Sequence, residues 1–187
     1  MSVDVVELSP EALRERMGEA LGVYVAAMDY PPGTDAHRAP MWAEHALRPG
    51  WAAVAAVDRA TGSLVGIGYG YRSARGQWWS EEVRAGLVAL GRSAEEAEQV
   101  LADTFELTEL HVHPAAQGKG LGAQLLGTLL DERTEQRVLL STPEVGREDN
   151  RAWRLYRRCG FGDVLRQFRF TGDPRPFAVL GRDLPLA

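Results

Sequence analysis

Gln117-Gly118-Lys119-Gly120-Leu121-Gly122 decides how the rest of this chain reads. Three of its six residues are glycines, and Ala123-Gln124-Leu125-Leu126-Gly127-Thr128-Leu129-Leu130 follows with helical spacing of its apolar residues. A glycine-rich turn that feeds a helix presents unpaired N–H donors and the positive end of the helix dipole, and both favour a phosphate group. Glycine also accepts positive φ and lets a bulky pyrophosphate approach the main chain. The stretch predicts a phosphorylated ligand held by backbone.

Working outward, Thr104 to Val112 reads as the strand before this loop, and Gly122 to Glu132 as the helix after it. Arg137 to Thr142 is the following strand. Asn150 to Cys159 is helical and closes at Gly160, where a helix C-terminus favours glycine. Val164 to Thr171 and Phe177 to Gly181 form a last pair of strands across Gly172-Asp173-Pro174. Upstream, Val3 to Leu8 is a strand and Ser9-Pro10-Glu11 a helix start, with the apolar face running on to about Met28. A second helix is expected over Ala39 to Leu47. Trp51 to Val57 and Leu64 to Tyr71 read as a hairpin. Arg75 to Asp103 holds two short helices, one opened by Ser80 and one by the capping-box spacing of Ser93 and Glu96. The order is that of an α/β protein with a mixed sheet.

Composition bounds the function. At 187 residues, one domain spanning 1–187 is expected, with 75–103 as a helical insertion. A formal net charge of −5 argues against a nucleic-acid surface. The basic run from Arg151 to Arg158 is interleaved with apolar residues and reads as a solvated helix face. The single cysteine, Cys159, excludes an intrachain disulfide and suits a reducing compartment. With no signal peptide or long apolar span, a cytoplasmic location away from membranes is the expectation.

Three motifs in order then carry a resemblance: Leu110-His111-Val112-His113-Pro114, Gln117 to Gly122, and Ala152-Trp153-Arg154-Leu155-Tyr156-Arg157-Arg158-Cys159-Gly160-Phe161. Together they resemble the GCN5-related N-acetyltransferase (GNAT) superfamily. Gln117, Gly120 and Gly122 fill its Gln/Arg-x-x-Gly-x-Gly/Ala signature. Ala152, Leu155, Tyr156, Gly160 and Phe161 fill its Ala-x-x-Leu-Tyr and Gly-Phe signature. The close resemblance spans Phe105 to Phe161. It implies a mixed, mostly antiparallel sheet with central splayed parallel strands flanked by helices, and acetyl-CoA as cosubstrate without a metal. By the same resemblance, main-chain groups of Leu110, His111 and Val112 would face the pantetheine arm. Gln117, Gly118, Lys119, Gly120, Leu121, Gly122 and Ala123 would hold the pyrophosphate.

The resemblance also assigns catalytic roles. Tyr156 would protonate the departing thiolate, which a phenol that is neutral at pH 7 can do. The acceptor ammonium must lose a proton before attack, and a carboxylate on the strand before the loop is the expected base. Glu106 holds that position when the phosphate loops of histone-acetylating relatives are aligned without gaps, and Glu109 lies nearer the strand end. Their odd separation puts them on opposite faces of a regular strand, and a bulge would change that parity. Many relatives carry Asn seven residues before the tyrosine; here Asp149 stands there, and Asn150 either takes its cofactor contact or caps the helix.

Other residues admit two readings. His111 and His113 share a strand face but lack a third ligand for a metal. Trp42, Trp78 and Trp79 either pack a core or wall an acceptor pocket. A dinucleotide fold fails because His113-Pro114-Ala115-Ala116 separates strand from turn, and a Walker loop fails because Lys119 precedes Gly120. The expected activity is acetyl transfer by direct attack of an amine. The acceptor would be a small-molecule amine or a peptide, and the resemblance allows a homodimer. A non-catalytic acyl-CoA sensor is the alternative.

Overall fold

The computed structural model describes residues 2–144 and 150–186. Its elements in chain order are β1 (Val3–Leu8), α1 (Pro10–Glu15), α2 (Met17–Met28), α3 (Thr34–His45), β2 (Ala52–Asp58), β3 (Leu64–Arg72), α4 (Trp78–Ala89), α5 (Ala94–Leu101), β4 (Thr104–Val112), α6 (Leu121–Asp131), β5 (Arg137–Pro143), α7 (Arg151–Arg158), β6 (Gly162–Phe168) and β7 (Phe177–Asp183). The described residues fall into two interleaved units, Met1–Tyr71 with Leu107–Arg133, and Arg72–Glu106 with Thr134–Ala187. Strand β4 contributes to both.

In the first unit the strand order is β1-β2-β3-β4. β1 pairs antiparallel with β2 from Val3 opposite Asp58 to Leu8 opposite Ala53, and β2 pairs antiparallel with β3. The His113 N–H bonds to the Val65 carbonyl at the far end of β4. Alternation does not describe these strands, because Val54, Ala55 and Ala56 are all buried. One face packs under α6, whose Leu121, Leu125, Leu126, Leu129 and Leu130 turn inward at helical spacing. Gly66 permits this approach: a Cβ there would lie 2.9 Å from Leu125 Cδ1 and 3.1 Å from Ala56 Cβ. A cluster of Leu13, Leu21, Tyr24, Trp42, Ala55, Ile67 and Tyr69 forms the other core.

The expected single helix to Met28 is two. Ser9 caps α1 as its spacing predicts, accepting from the Ala12 N–H at 3.1 Å. Arg16 then leaves helical geometry (φ −106°, ψ 18°), and its guanidinium bonds to both Glu19 oxygens and to the Gly62 carbonyl. Glu19 also accepts from the Leu64 N–H, so the break ties α2 to the β2–β3 turn. Helix α3 starts at Thr34 rather than Ala39. Pro40 sits inside it, on the same helix as the buried Trp42 and His45.

The second unit carries β4-β5-β7-β6. Thr104, Phe105 and Glu106 pair in parallel with Arg137, Val138 and Leu139; β5 and β6 each pair antiparallel with β7. The seven strands are thus mostly antiparallel, with β4–β5 the parallel pair. Helices α4 and α5 bury Val83, Leu87, Ala97 and Leu101 against Leu139, Leu165 and Val179. Ser93 and Glu96 form the expected capping box at 3.1 and 2.7 Å. Ser80 is not a cap: α4 begins at Trp78 behind Gln77, and Ser80 is buried within it. β6 ends at Phe168, short of the expected Thr171, after Gln167 takes a left-handed φ of 51° and breaks the ladder. Among the described residues no helix is long and apolar enough to cross a membrane.

Candidate active site

The loop after β4 is built almost wholly from backbone. His113 closes β4 onto β3 and its Nδ1 accepts from the Ala115 N–H at 3.3 Å, holding a 3-10 turn over Pro114–Ala116. The Gln117 side-chain amide reaches back to the Val112 carbonyl at 2.9 Å, which pins the loop to the strand it leaves. Gly118 and Gly120 then take φ of 80° and 79°, a region L side chains rarely adopt, and a Cβ on either would meet nothing within 4 Å. Gly120 precedes α6 with no side-chain cap. The N–H groups of Leu121 and Gly122 therefore stand ahead of the helical ladder, whereas the Ala123 N–H already bonds to the Gly120 carbonyl at 3.1 Å. Open main-chain N–H groups at a helix N-terminus are a chemistry that suits an anion. Lys119 is exposed beside them.

The two carboxylates of β4 differ in surroundings. Glu106 occupies the last position of the parallel ladder and is 3% exposed. Glu109 and His111 each have side chains 12% exposed, and Glu109 Oε2 lies 2.5 Å from His111 Nε2. The pair forms because residues two apart in a strand share a face. Strand β4 is also irregular: Ser73 N–H bonds to the Thr104 carbonyl and His113 N–H to the Val65 carbonyl. Between these two bonds β4 has one residue more than β3, which is a bulge. Leu110 packs over Gly68, where a Cβ would lie 3.0 Å from its Cδ1.

Around the Glu109–His111 pair stands an aromatic cluster drawn from α2, α3 and β3. The Tyr24 ring meets His111 edge-on at 5.0 Å and Trp42 at 5.7 Å, and Trp42 meets Tyr69 at 5.0 Å. His45 Nδ1 lies 3.0 Å from the Tyr69 hydroxyl, and Arg48 donates to the Tyr71 hydroxyl at 2.8 Å. Burial, reinforced by the charge on Glu109, pushes the Tyr24 phenol far above its usual range, so it stays protonated. Burial and the Arg48 cation lower His45 to about 4, against an opposing pull from Glu109. Trp42 is fully buried and belongs to this cluster as core. Tyr24 and His45 carried no motif in the sequence; only the shared face of Glu109 and His111 hinted at a polar pair here.

The second unit holds the remaining expected residues. Tyr156 is buried on α7 and packs against Phe161 with ring centroids 5.6 Å apart. Asn150 caps α7, its Oδ1 accepting from the Trp153 N–H at 2.9 Å; its side-chain oxygen is thereby committed to the helix. Asp149 lies outside the described residues. Trp79 is buried and donates to Ser141 Oγ at 3.1 Å, whereas Trp78 is 56% exposed. Cys159 is half-buried at the end of α7. A cavity of about 420 Å³ in the first unit, lined by Glu7, Arg48, Trp51, Thr128 and Glu132 among others, contains none of the loop or β4 residues.

The chain is similar to known acetyltransferases in sequence and in fold. Residues 74–162 match the family model described as an acetyltransferase (GNAT) domain. Over 206 aligned residues, covering 100% of both chains, the sequence is 48% identical to the "GCN5-like protein acetyltransferase Rv2170" of Mycobacterium tuberculosis. Among solved structures, a GNAT-family acetyltransferase from Desulfovibrio desulfuricans superposes with a TM-score of 0.68 at 14% identity, covering 97% of this chain and 99% of that one. The Salmonella typhimurium protein yncA, described as an acetyltransferase and solved with acetyl-CoA, gives 0.63 at 15% identity, covering 99% and 95%.

Proposed function

Because the chain belongs to the GNAT family of acetyltransferases, we propose that it transfers the acetyl group of acetyl-CoA to a primary amine by direct attack on the thioester. The observation that carries this reading is the loop at Gly118 and Gly120: two positive φ values, open space where side chains would stand, and an uncapped helix start. Those features suit a phosphate bound through main-chain N–H groups. The relative at 48% identity is described as a protein acetyltransferase, which favours an amine on a protein, a lysine side chain or a chain N-terminus, over a free small molecule. The single cysteine fits a cytoplasmic setting.

Residue roles follow from chemistry. The acceptor ammonium must lose a proton before its nitrogen can attack, and of the two β4 carboxylates Glu109, paired with His111, is better placed than Glu106 to serve that transfer. Glu109 is partly exposed and polar-paired, whereas Glu106 is 3% exposed in the strand core. Tyr156 would return a proton to the departing thiolate. Gln117 shapes the loop, and the Asn150 side-chain oxygen caps α7.

The test is thiol release from acetyl-CoA across lysine peptides, peptide N-termini, polyamines, aminoglycosides and amino acids, with CoA binding followed by calorimetry. Release that depends on lysine peptides or peptide N-termini is the expected result. CoA binding with no release from any amine would instead support an acyl-CoA sensor, and absence of CoA binding would sink the loop assignment.

A further inference from the structure

We propose that the acceptor's proton passes to Nδ1 of His111, and that Glu109 is a positioning carboxylate acting through that ring. The inference deepens the function proposed above and rests on it. An ionised carboxylate can only accept, so the 2.5 Å contact between Glu109 Oε2 and His111 Nε2 requires the hydrogen to sit on Nε2. In a neutral imidazole the other nitrogen then carries the lone pair. Among the described residues the ring's hydrogen bond runs through Nε2, leaving Nδ1 for another partner, and the side chain keeps 12% of its surface exposed. The ring is gripped from a second side by the Tyr24 edge at 5.0 Å with an interplanar angle of 78°. A base held in one tautomer and one orientation, with a carboxylate behind it to stabilise the imidazolium, is the logic of a catalytic triad.

Neighbouring groups leave this role to His111. From α2, Tyr24 stays protonated because burial and the Glu109 charge raise its phenol, and Tyr30 packs against it. From α3, His45 is held near 4 and engaged with the Tyr69 hydroxyl of β3, and Arg38 lies over the Tyr24 ring at 5.8 Å. Arg48 is committed to Tyr71 and Glu44. His113, two residues along β4, caps the 3-10 turn.

An R–NH3+ acceptor gives one proton to His111 Nδ1, and the freed nitrogen pair forms a bond to the thioester carbonyl carbon. The C–S bond then breaks, its electron pair leaves with sulfur, the Tyr156 phenol gives its proton to the thiolate, and the nitrogen's surplus proton restores the phenol. The imidazolium returns its proton to water. The products are R–NH–CO–CH3, CoA thiol and one proton.

The test compares pH profiles of kcat/KM for His111→Gln and Glu109→Gln, using the amine that gives most thiol release with the wild-type protein. His111→Gln should lose roughly 100-fold and its low-pH limb, with CoA affinity by calorimetry unchanged. Glu109→Gln should lose roughly tenfold and keep a limb. Added imidazole should restore part of the rate in His111→Ala. Nitrogen NMR of the four histidines should show the neutral His111 ring protonated at Nε2. The inference is overturned if Glu109→Gln erases the limb while His111→Gln keeps it, or if the ring carries its proton on Nδ1. An active wild type with an unaltered His111→Gln profile defeats this inference alone. A wild type that binds CoA and releases no thiol defeats the function reading, and this inference with it.

Discussion

The loop at Gln117–Gly122 and the cluster around Glu109 share one unit of the fold and are built in opposite ways. The loop is made of main chain: two glycines at positive φ, a helix start without a cap, and one side-chain amide bonded back to the strand. The cluster is made of side chains from four separate elements, with Tyr24, Trp42, Tyr69 and His111 meeting ring to ring. A backbone site depends on conformation at a few consecutive residues and barely on their neighbours. A side-chain site depends on every element that delivers a group, so it doubles as core. Function should therefore be separable from stability at the loop and inseparable from it in the cluster.

Three variants probe that contrast. The largest effect is expected from Gly120→Asp. The new side chain meets open space in the free protein, so the folding cost is confined to the left-handed φ, about 1–2 kcal/mol. Its carboxylate would occupy the phosphate cradle, and CoA affinity should fall by roughly 100-fold or more, about 2.7 kcal/mol, by calorimetry. A Gly120→Asp protein that bound CoA normally would break the backbone half of the comparison.

Tyr156→Phe asks whether a side chain outside both regions contributes. Turnover should drop roughly tenfold, less than general acids usually supply because a thiolate leaves readily, while CoA affinity holds. Unchanged turnover across pH would remove Tyr156 as the acid.

The smallest effect is expected from His45→Gln, read in the pH dependence of the melting temperature. The folded state holds His45 at about 4 against an ordinary value of 6.5. As pH falls from about 6.5 towards 4, the unfolded chain takes up a proton that the folded chain refuses, so stability declines with falling pH across that window. His45→Gln should flatten this slope. An identical slope in the variant would mean that burial at His45 does not govern the acid sensitivity of the cluster.

Legibility in the sequence followed the same division. The strand from Thr104 to Val112, the Ser9 and Ser93 caps, and the turn at Gly160 all appear where their residues predict. The two caps and the turn rest on contacts within about four residues. The misreadings have tertiary causes. Arg16 interrupts an amphipathic run because Glu19 and the Gly62 carbonyl compete for it, and Gly62 is 46 residues away. Helix α3 opens at Thr34, five residues before the expected start at Ala39, with Pro40 inside it and Trp42 and His45 buried on it. Strand parity alone could not rank Glu106 and Glu109, since a bulge adds one residue to β4 between its two anchoring bonds.

The sequence by itself determined the family, the mixed α/β order and the glycine-rich loop ahead of α6, because glycine spacing and cap chemistry act through local backbone energetics. Only the tertiary structure decided that Glu109 meets His111 under the edge of Tyr24, that Trp42 is core, and that Asn150 is spent on a helix cap. Those outcomes depend on which distant groups are packed together, and burial, not spacing, sets their charge state and reach.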